Sequence, residues 1–171
     1  LGQLNLVRQV SPQIANVLEL DELARRVTDL IQKTFNYYYV AFFTLKPGAE
    51  SLRFRASASG PRPGPRCGKK SIVVEAGLGQ GMIGQAAQTG ERVLSDDVQQ
   101  DPHYRFVNLL PETRSEVALP LKIEDRVLGV LDVQSDQPHA FHPNDLLVLE
   151  ALADSIARAV EGARLYGDLR R

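Results

Sequence analysis

Glu124 and Asp125 alone separate two apolar runs, and this short gap constrains the fold more than any other feature of the chain. Before it, Val117, Leu119, Leu121 and Ile123 alternate with other residues, the period of a strand that buries one face. After it, Arg126 to Gln134, RVLGVLDVQ, is apolar enough for a central strand. So short a connection cannot hold a parallel crossover, so these strands must be antiparallel neighbours. A second hairpin is predicted upstream. Tyr37 to Leu45 is aromatic and β-branched, Pro47-Gly48 supplies a turn, and Leu52 to Ser57 alternates as a half-exposed strand does.

Helical periods flank these strands. Leu4, Val7, Ile14 and Leu18, with Val10 and Val17 beside them, mark an amphipathic helix that Pro12 interrupts. Asp21 is expected to cap a second helix, whose buried stripe is Leu23, Val27, Leu30, Ile31 and Thr34-Phe35. Pro143 takes a first-turn position in the last helix. There Leu149, Leu152, Ile156, Ala159, Ala163 and Tyr166 step by three and four as a heptad-like seam. Tyr104 to Leu110 suits a short helix stopped by Pro111. Gly60 to Lys70, GPRPGPRCGKK, suits neither helix nor strand and reads as a solvated loop.

An apolar run, Ser71 to Ala76, leads into Gly79-x-Gly81-x-x-Gly84, the spelling of a dinucleotide-binding loop. Such a loop needs a βαβ unit of about 30 residues and parallel strands. Here the helix has room for about eight or nine residues before Thr89-Gly90 stops it, and the clear strand pairs are hairpins. Asp96 or Asp97 follows at a suitable distance, but the surrounding pattern is wrong. The glycines are therefore expected to shape the backbone. Gly77, Gly79 and Gly81 serve the turn from strand to helix, and Gly84 lets that helix lie close against the sheet.

Composition excludes other classes. The 171 residues suit one domain with an appended helix. A formal net charge of −1, with no long run of one sign, argues against nucleic acid as a partner. No apolar stretch reaches the roughly 18–20 residues of a membrane span, so no membrane contact is expected of this fragment. The single cysteine, Cys67, excludes an internal disulfide and fits a cytoplasmic setting. His139-x-x-His142 has a metal-like spacing, but Pro138 and Pro143 flank the pair, and metals want three or four converging ligands. No metal and no cofactor is expected, and His142 reads as the cap of the last helix. Leu1 in place of Met, and helical patterns at both ends, lead to the expectation of a piece of a longer protein.

Three stretches follow in order: GLGQGMIGQAAQTGERVLSDDVQQDPHY, SEVALPLKIEDRVLGVLDVQSD, and AFHPNDLLVLEALADSIARAVEGARLY. Together they resemble a GAF domain over residues 20–166. The resemblance rests on the glycine pattern with Thr89-Gly90, Asp97-Val98 with Asp101-Pro102, Leu119-Pro120-Leu121, Gly129-Val130-Leu131, and Phe141 before the final helix. It implies an α+β, PAS-like fold with an antiparallel sheet of five or six strands. Terminal helices would lie on one face, and short helices and loops, with any ligand beneath them, on the other. The linker or signalling helix would be 1–19, the domain 20–166, and a continuation toward an output domain 167–171. At one turn the chain departs from the family, with Asp125-Arg126 where Asp-Gly or Asn-Gly is common.

The function so implied is a non-catalytic sensory module of a multidomain signal-transduction protein, of the sensor histidine kinase or cyclic-dinucleotide enzyme type. Two copies would pair through the terminal helices at Leu149, Leu152, Ile156, Ala159 and Ala163, together with Leu4, Val7 and Ile14, and signal to a covalently linked output domain. The alternatives are an interaction-only dimerisation module and a nucleotide-dependent enzyme using the glycine loop. Cyclic-nucleotide-binding members share Asn-Lys and then Phe-x-x-x-Asp-Glu. Phe141 and Asp145 fit, but Gln134-Ser135 and Leu146 do not. Bilin-binding relatives attach their pigment through a Cys that Tyr104 to Thr113 lacks. Methionine-sulfoxide-reducing relatives pass through an intramolecular disulfide that one thiol cannot form, so the chain is expected not to be an enzyme. An unidentified small molecule is left, with candidate contacts at Ser95, Asp96, Asp97, His103, Tyr104, Thr113, Ser115 and Asp132. Asp97 also reads as a turn acceptor and Tyr104 as half-buried packing. Asp132, between Leu131 and Val133, must face solvent, a partner or a cavity.

Overall fold

Both predicted hairpins form. The computed structural model describes residues 19–60, 75–102, 104 and 110–170. Strands β1 (Tyr39–Thr44) and β2 (Ser51–Ser59) pair antiparallel, joined through Gly48 at φ +77°. Strands β5 (Ser115–Ile123) and β6 (Arg126–Ser135) do the same, with Ile123 opposite Arg126. The connection is therefore Glu124-Asp125 rather than Asp125-Arg126. Glu124 takes the left-handed conformation (φ +55°) that a glycine would adopt without strain. The short strands β3 (Glu75–Gly77) and β4 (Val93–Ser95) complete a six-stranded antiparallel sheet of order β3-β2-β1-β6-β5-β4. All six residues of β1 are buried, because both faces of the sheet centre are covered.

Helices α1 (Leu20–Phe35) and α3 (Pro143–Arg170) cover one face. Leu23, Val27 and Ile31 of α1 pack with Leu149, Leu152, Ile156 and Val160 of α3 on Val40, Phe42, Leu119, Leu131 and Val133. Each such side chain contributes about 1.5–3 kcal/mol when removed from water. Asp21 does not cap α1, which starts earlier, after Glu19; its carboxylate instead accepts from Arg55 Nη1 at 3.1 Å. Arg55 is the residue skipped where Phe42 pairs with Ala56 and Phe43 with Phe54, a bulge that re-aims its side chain. Asn36, at φ +57°, ends α1 and donates its N–H to Gln32 O. His142 precedes α3. Its backbone N–H donates to Asp145 Oδ2 at 2.9 Å, half of a capping box.

Helix α2 (Gly81–Thr89) lies on the opposite face, where Met82, Ala86 and Ala87 meet Ala41, Phe43, Ala118 and Val130. Gly79 and Gly81 hold φ of +78° and +66° in the turn before it, and Gly90 closes it in the left-handed region. A Cβ on Gly84 would collide with the Gly77 carbonyl and stand 3.2 Å from Gly79 N. The glycine pattern thus serves a tight turn and a close helix-on-strand approach.

The seam on α3 needs correction as a pairing surface. Leu149, Leu152 and Ile156 are fully buried in the chain's own core and Ala163 nearly so, with Ala159 half-buried. Their spacing reflects packing on the sheet. Among the described side chains, α3 exposes the large apolar Leu147 and Leu165. The Pro12 helix, the basic loop with Cys67, the start of the Ser71 run and most of Tyr104–Leu110 lie outside the described residues. None of the described helices is long and apolar enough to cross a membrane.

Candidate functional site

Alternation on β5 and β6 decides which side chains meet beneath α2. Val117, Leu119, Leu121, Leu131 and Val133 face α1 and α3. Their neighbours Glu116, Ala118, Val130, Asp132 and Gln134 must then face the other way. Register turns these into rows. Ala41, Asp132 and Ala118 lie side by side across β1, β6 and β5. The next row is Tyr39, Gln134, Glu116 and Ser95, running on into β4. The alanine row leaves only methyl groups on either side of the Asp132 carboxyl. The second row sets another carboxyl and a carboxamide beside it.

Hydrogen bonds order this group. Thr113 Oγ1 donates to Gln134 Oε1 at 2.6 Å. Gln134 Nε2 donates to Asp132 Oδ2 at 2.8 Å and reaches Glu116 Oε2 at 3.5 Å. A hydroxyl donor on one end and carboxylates on the other fix the amide's orientation. Tyr104, half-buried, hydrogen-bonds Thr113 from the chain leading out of the 3₁₀ turn Val98–Gln100. Asp132 is fully buried, and its Oδ1 has no hydrogen-bond partner among the described residues. Neither it nor Glu116 is ion-paired with a Lys, Arg or His among those residues.

Burial without a cation raises both acids, because the low-dielectric interior disfavours their charged forms. Glu116 is held well above its ordinary 4.5, first by burial, then by the Asp132 charge and its hydrogen bond, then by Asp101. Burial raises Asp132 as well, opposed by hydrogen bonds from Glu116 and Gln134. The two carboxyls are thus within hydrogen-bonding reach of each other. Tyr104 is also raised, by burial and then by Glu116.

Of the sequence-predicted contacts, Ser95, Tyr104, Thr113 and Asp132 come together here. Asp96 is exposed beside His139, with Oδ2 3.9 Å from Nδ1. Asp97 accepts from Gln99 N–H at 3.2 Å, the cap role its position suggests. Ser115 faces the other side and donates to Gln137 O at 2.6 Å. His103 lies outside the described residues. Glu116 and Gln134 are additions to the predicted contacts. Period-two alternation was enough to place both: once Val117 and Val133 face the core, their neighbours share the opposite face with Asp132.

No group of three or more His, Cys, Asp or Glu among the described residues is arranged to hold a metal ion. A groove of about 320 Å³ lies elsewhere, between α3 and the edge of β5. There Arg92 Nη1 donates to Glu150 Oε1 at 2.9 Å.

The GAF domain family model matches residues 4–161. GAF domain-containing protein A of Dictyostelium discoideum is 30% identical over 138 residues, covering 78% of this chain and 79% of that protein. The circadian input-output histidine kinase CikA of Thermosynechococcus vestitus is 25% identical across 99% of this chain, which spans only 24% of that protein. Among solved structures, the GAF domain of an Acinetobacter phosphoenolpyruvate-protein phosphotransferase superposes with TM-score 0.81 at 19% identity, covering 98% of each chain. The free methionine-R-sulfoxide reductase of Neisseria meningitidis gives TM-score 0.81 at 22% identity, covering 96% of this chain and 91% of that one. The type II enzyme of Thermoplasma acidophilum gives 0.68 at 27% identity, covering 83% and 95%.

These last two overturn the expectation that the chain is not an enzyme, since the architecture it shares is also a reductase architecture. The single thiol excludes only an intramolecular disulfide, not chemistry on this scaffold.

Proposed function

The chain belongs to the GAF domain family, and on that premise we propose that it is a sensory module of a multidomain signalling protein whose input is a small molecule bearing a protonated amine. Asp132 carries this reading: a fully buried carboxyl with no cation beside it among the described residues, next to a second buried carboxyl. Buried carboxyls are ordinarily paired with a cation, and none of the described residues supplies one here, so a cationic donor from outside fits the site. An organic ammonium brings positive charge and N–H donors in one group. The methyl groups of Ala41 and Ala118 flank the carboxyl, and Tyr39 and Tyr104 stand nearby, surroundings that suit an organic cation. The relationship to the kinase CikA supports a signalling context. The likeness to an enzyme of free methionine sulfoxide supports the ligand class, because a free amino acid carries such an ammonium.

Output would run through the sheet. Strands β5 and β6 carry the site on one face and the packing of α1 and α3 on the other. Displacement of these strands by a ligand biases how the helices pack, which is a shift between two arrangements. Arg164 fastens α3 to the sheet, donating from Nη2 to Leu45 O at 2.9 Å and to Leu128 O at 3.4 Å. A partner copy and a linked output domain would be reached along α3.

Native mass spectrometry of the freshly purified chain, with a denatured control, tests the reading. A retained mass lost on denaturation, or uptake from a panel of the common amino acids, L-methionine sulfoxide and aliphatic polyamines, is the expected result. A retained compound without an amine, or no binding from the panel, contradicts it. The same spectra report turnover, as a bound amine released with altered mass.

A further inference from the structure

We propose that the empty site holds one proton between Glu116 and Asp132, and that an incoming ammonium takes that proton's place, so that occupancy releases a proton and affinity rises with pH. This rests on the amine reading above and adds its regulation. Gln134 already occupies Asp132 Oδ2. Oδ1 is buried and receives no N–H or O–H from the rest of the described protein. Glu116 is the neighbour to which Asp132 is hydrogen-bonded, and Gln134 Nε2 contacts both carboxyls, so a proton carried on Glu116 is a donor within reach of the Asp132 carboxyl. A ligand ammonium would supply the same kind of donor to the same carboxyl. The two donors compete for one buried carboxyl.

Charge leads to the same exchange. Two ionised carboxyls in one buried site, with no cation among the described residues, repel each other strongly, so the empty pair keeps a proton. An ammonium neutralises the second charge and removes the reason to keep it. The proton leaves to solvent, and the site changes from one proton and one negative charge to two negative charges and one cation.

The other titratable groups facing the pair are few. Asp101, at the end of the 3₁₀ turn, adds negative charge to Glu116, and the Tyr104 phenol, itself beside Tyr38, feels both carboxyls. Asp101 thus favours the shared proton, and burial first, then Glu116, raises the Tyr104 phenol. Helix α2 contributes no titratable residue. His103 and Arg105 lie outside the described residues, and the experiment separates their contribution from that of Glu116.

The test is infrared spectroscopy of the intact chain near neutral pH, followed by calorimetry in buffers of differing ionisation enthalpy. The probe is whichever amine of the panel binds. Expected are a protonated-carboxyl band in the empty protein, its loss on adding the amine, and release of about one proton per ligand, with affinity rising about tenfold per pH unit while the ammonium stays charged. Glu116→Gln should remove both the band and the proton release. An empty protein without the band overturns the inference and leaves amine binding intact. Binding with the band unchanged, or proton release that persists in Glu116→Gln, also overturns it. If no amine of the panel binds, the function proposed above fails and the displacement fails with it. A band in the empty protein would then support the shared proton alone. The wild-type spectra decide the matter even if Glu116→Gln does not fold.

Discussion

One substitution made in two helices should change stability in opposite directions. At Gly84 an added Cβ would run into the carbonyl oxygen of Gly77 and lie 3.2 Å from the backbone nitrogen of Gly79. Both neighbours are main chain, so no side chain can rotate away. Either α2 lifts from β3 or the Gly79–Gly81 turn distorts. Overpacking of this kind costs about 1–3 kcal/mol, and backbone against backbone belongs at the upper end. Alanine's better helix propensity returns about 1 kcal/mol. Gly84→Ala should therefore lose about 2 kcal/mol, or ~4–8 °C in Tm at this size. Gly162 lies in α3 with nothing within 4 Å of an added Cβ and is exposed. There the helix gain stands unopposed, and Gly162→Ala should add about 0.5–1 kcal/mol. Urea and thermal unfolding of the two variants against the parent decide it. Gly84→Ala with unchanged stability would refute the claim that the glycine pattern serves helix-on-strand contact.

Other outcomes follow from the same packing and charges. Leu152→Asp buries an unpaired charge in the α1–α3 core and should cost about 4 kcal/mol or more, seen as unfolding by circular dichroism. Leu147→Glu combined with Leu165→Glu should leave Tm within about 1–2 °C and shift sedimentation from dimer to monomer, if copies pair on the outer face of α3. Glu116 keeps in the folded chain a proton that the unfolded chain loses above 4.5. Its contribution to stability is therefore full below that value and declines as pH rises, by at most ~1.4 kcal/mol per unit, until the folded group itself titrates. Glu116→Gln should flatten that slope in urea melts between mildly acidic and neutral pH. Arg164→Met removes the donors to Leu45 O and Leu128 O, and should speed amide exchange in the last turns of α3 while leaving the strands protected.

The β5–β6 hairpin was legible because a two-residue gap admits one geometry, and Ile123 does pair with Arg126. The antiparallel sheet and the backbone role of the glycines follow from the same local rules. The seam on α3 was misassigned for a physical reason. A stripe that packs on a sheet and one that packs on another helix repeat at nearly the same period, so Leu149, Leu152 and Ile156 look alike in either case. The start of α1 was misplaced because Asp21 has the chemistry of a cap but makes its hydrogen bond to Arg55 on β2, far away in sequence. At the site, Asp132 stood out as a lone carboxylate in an apolar strand. Glu116 did not, since an acid at a strand's start ordinarily faces water. Alternation with Val117 puts Glu116 on the face of Asp132, and the register of β5 on β6 sets the two side by side. Asp96, Asp97 and Ser115 were near in sequence and polar, yet their hydrogen bonds lead to a loop, a cap and the opposite face.

The most direct test of the account is calorimetric binding of the amine identified by mass spectrometry to the parent chain and to Asp132→Asn. The substitution keeps size and the contact with Gln134, but removes the charge that an ammonium would meet. A charge-assisted bond in a buried site is worth about 1.5–3 kcal/mol, so affinity should fall at least tenfold and by as much as ~100-fold, with the melting curve still cooperative. Equal affinity in the two proteins would show that the buried carboxyl does not recognise the ligand, and the function proposed for this site would be wrong.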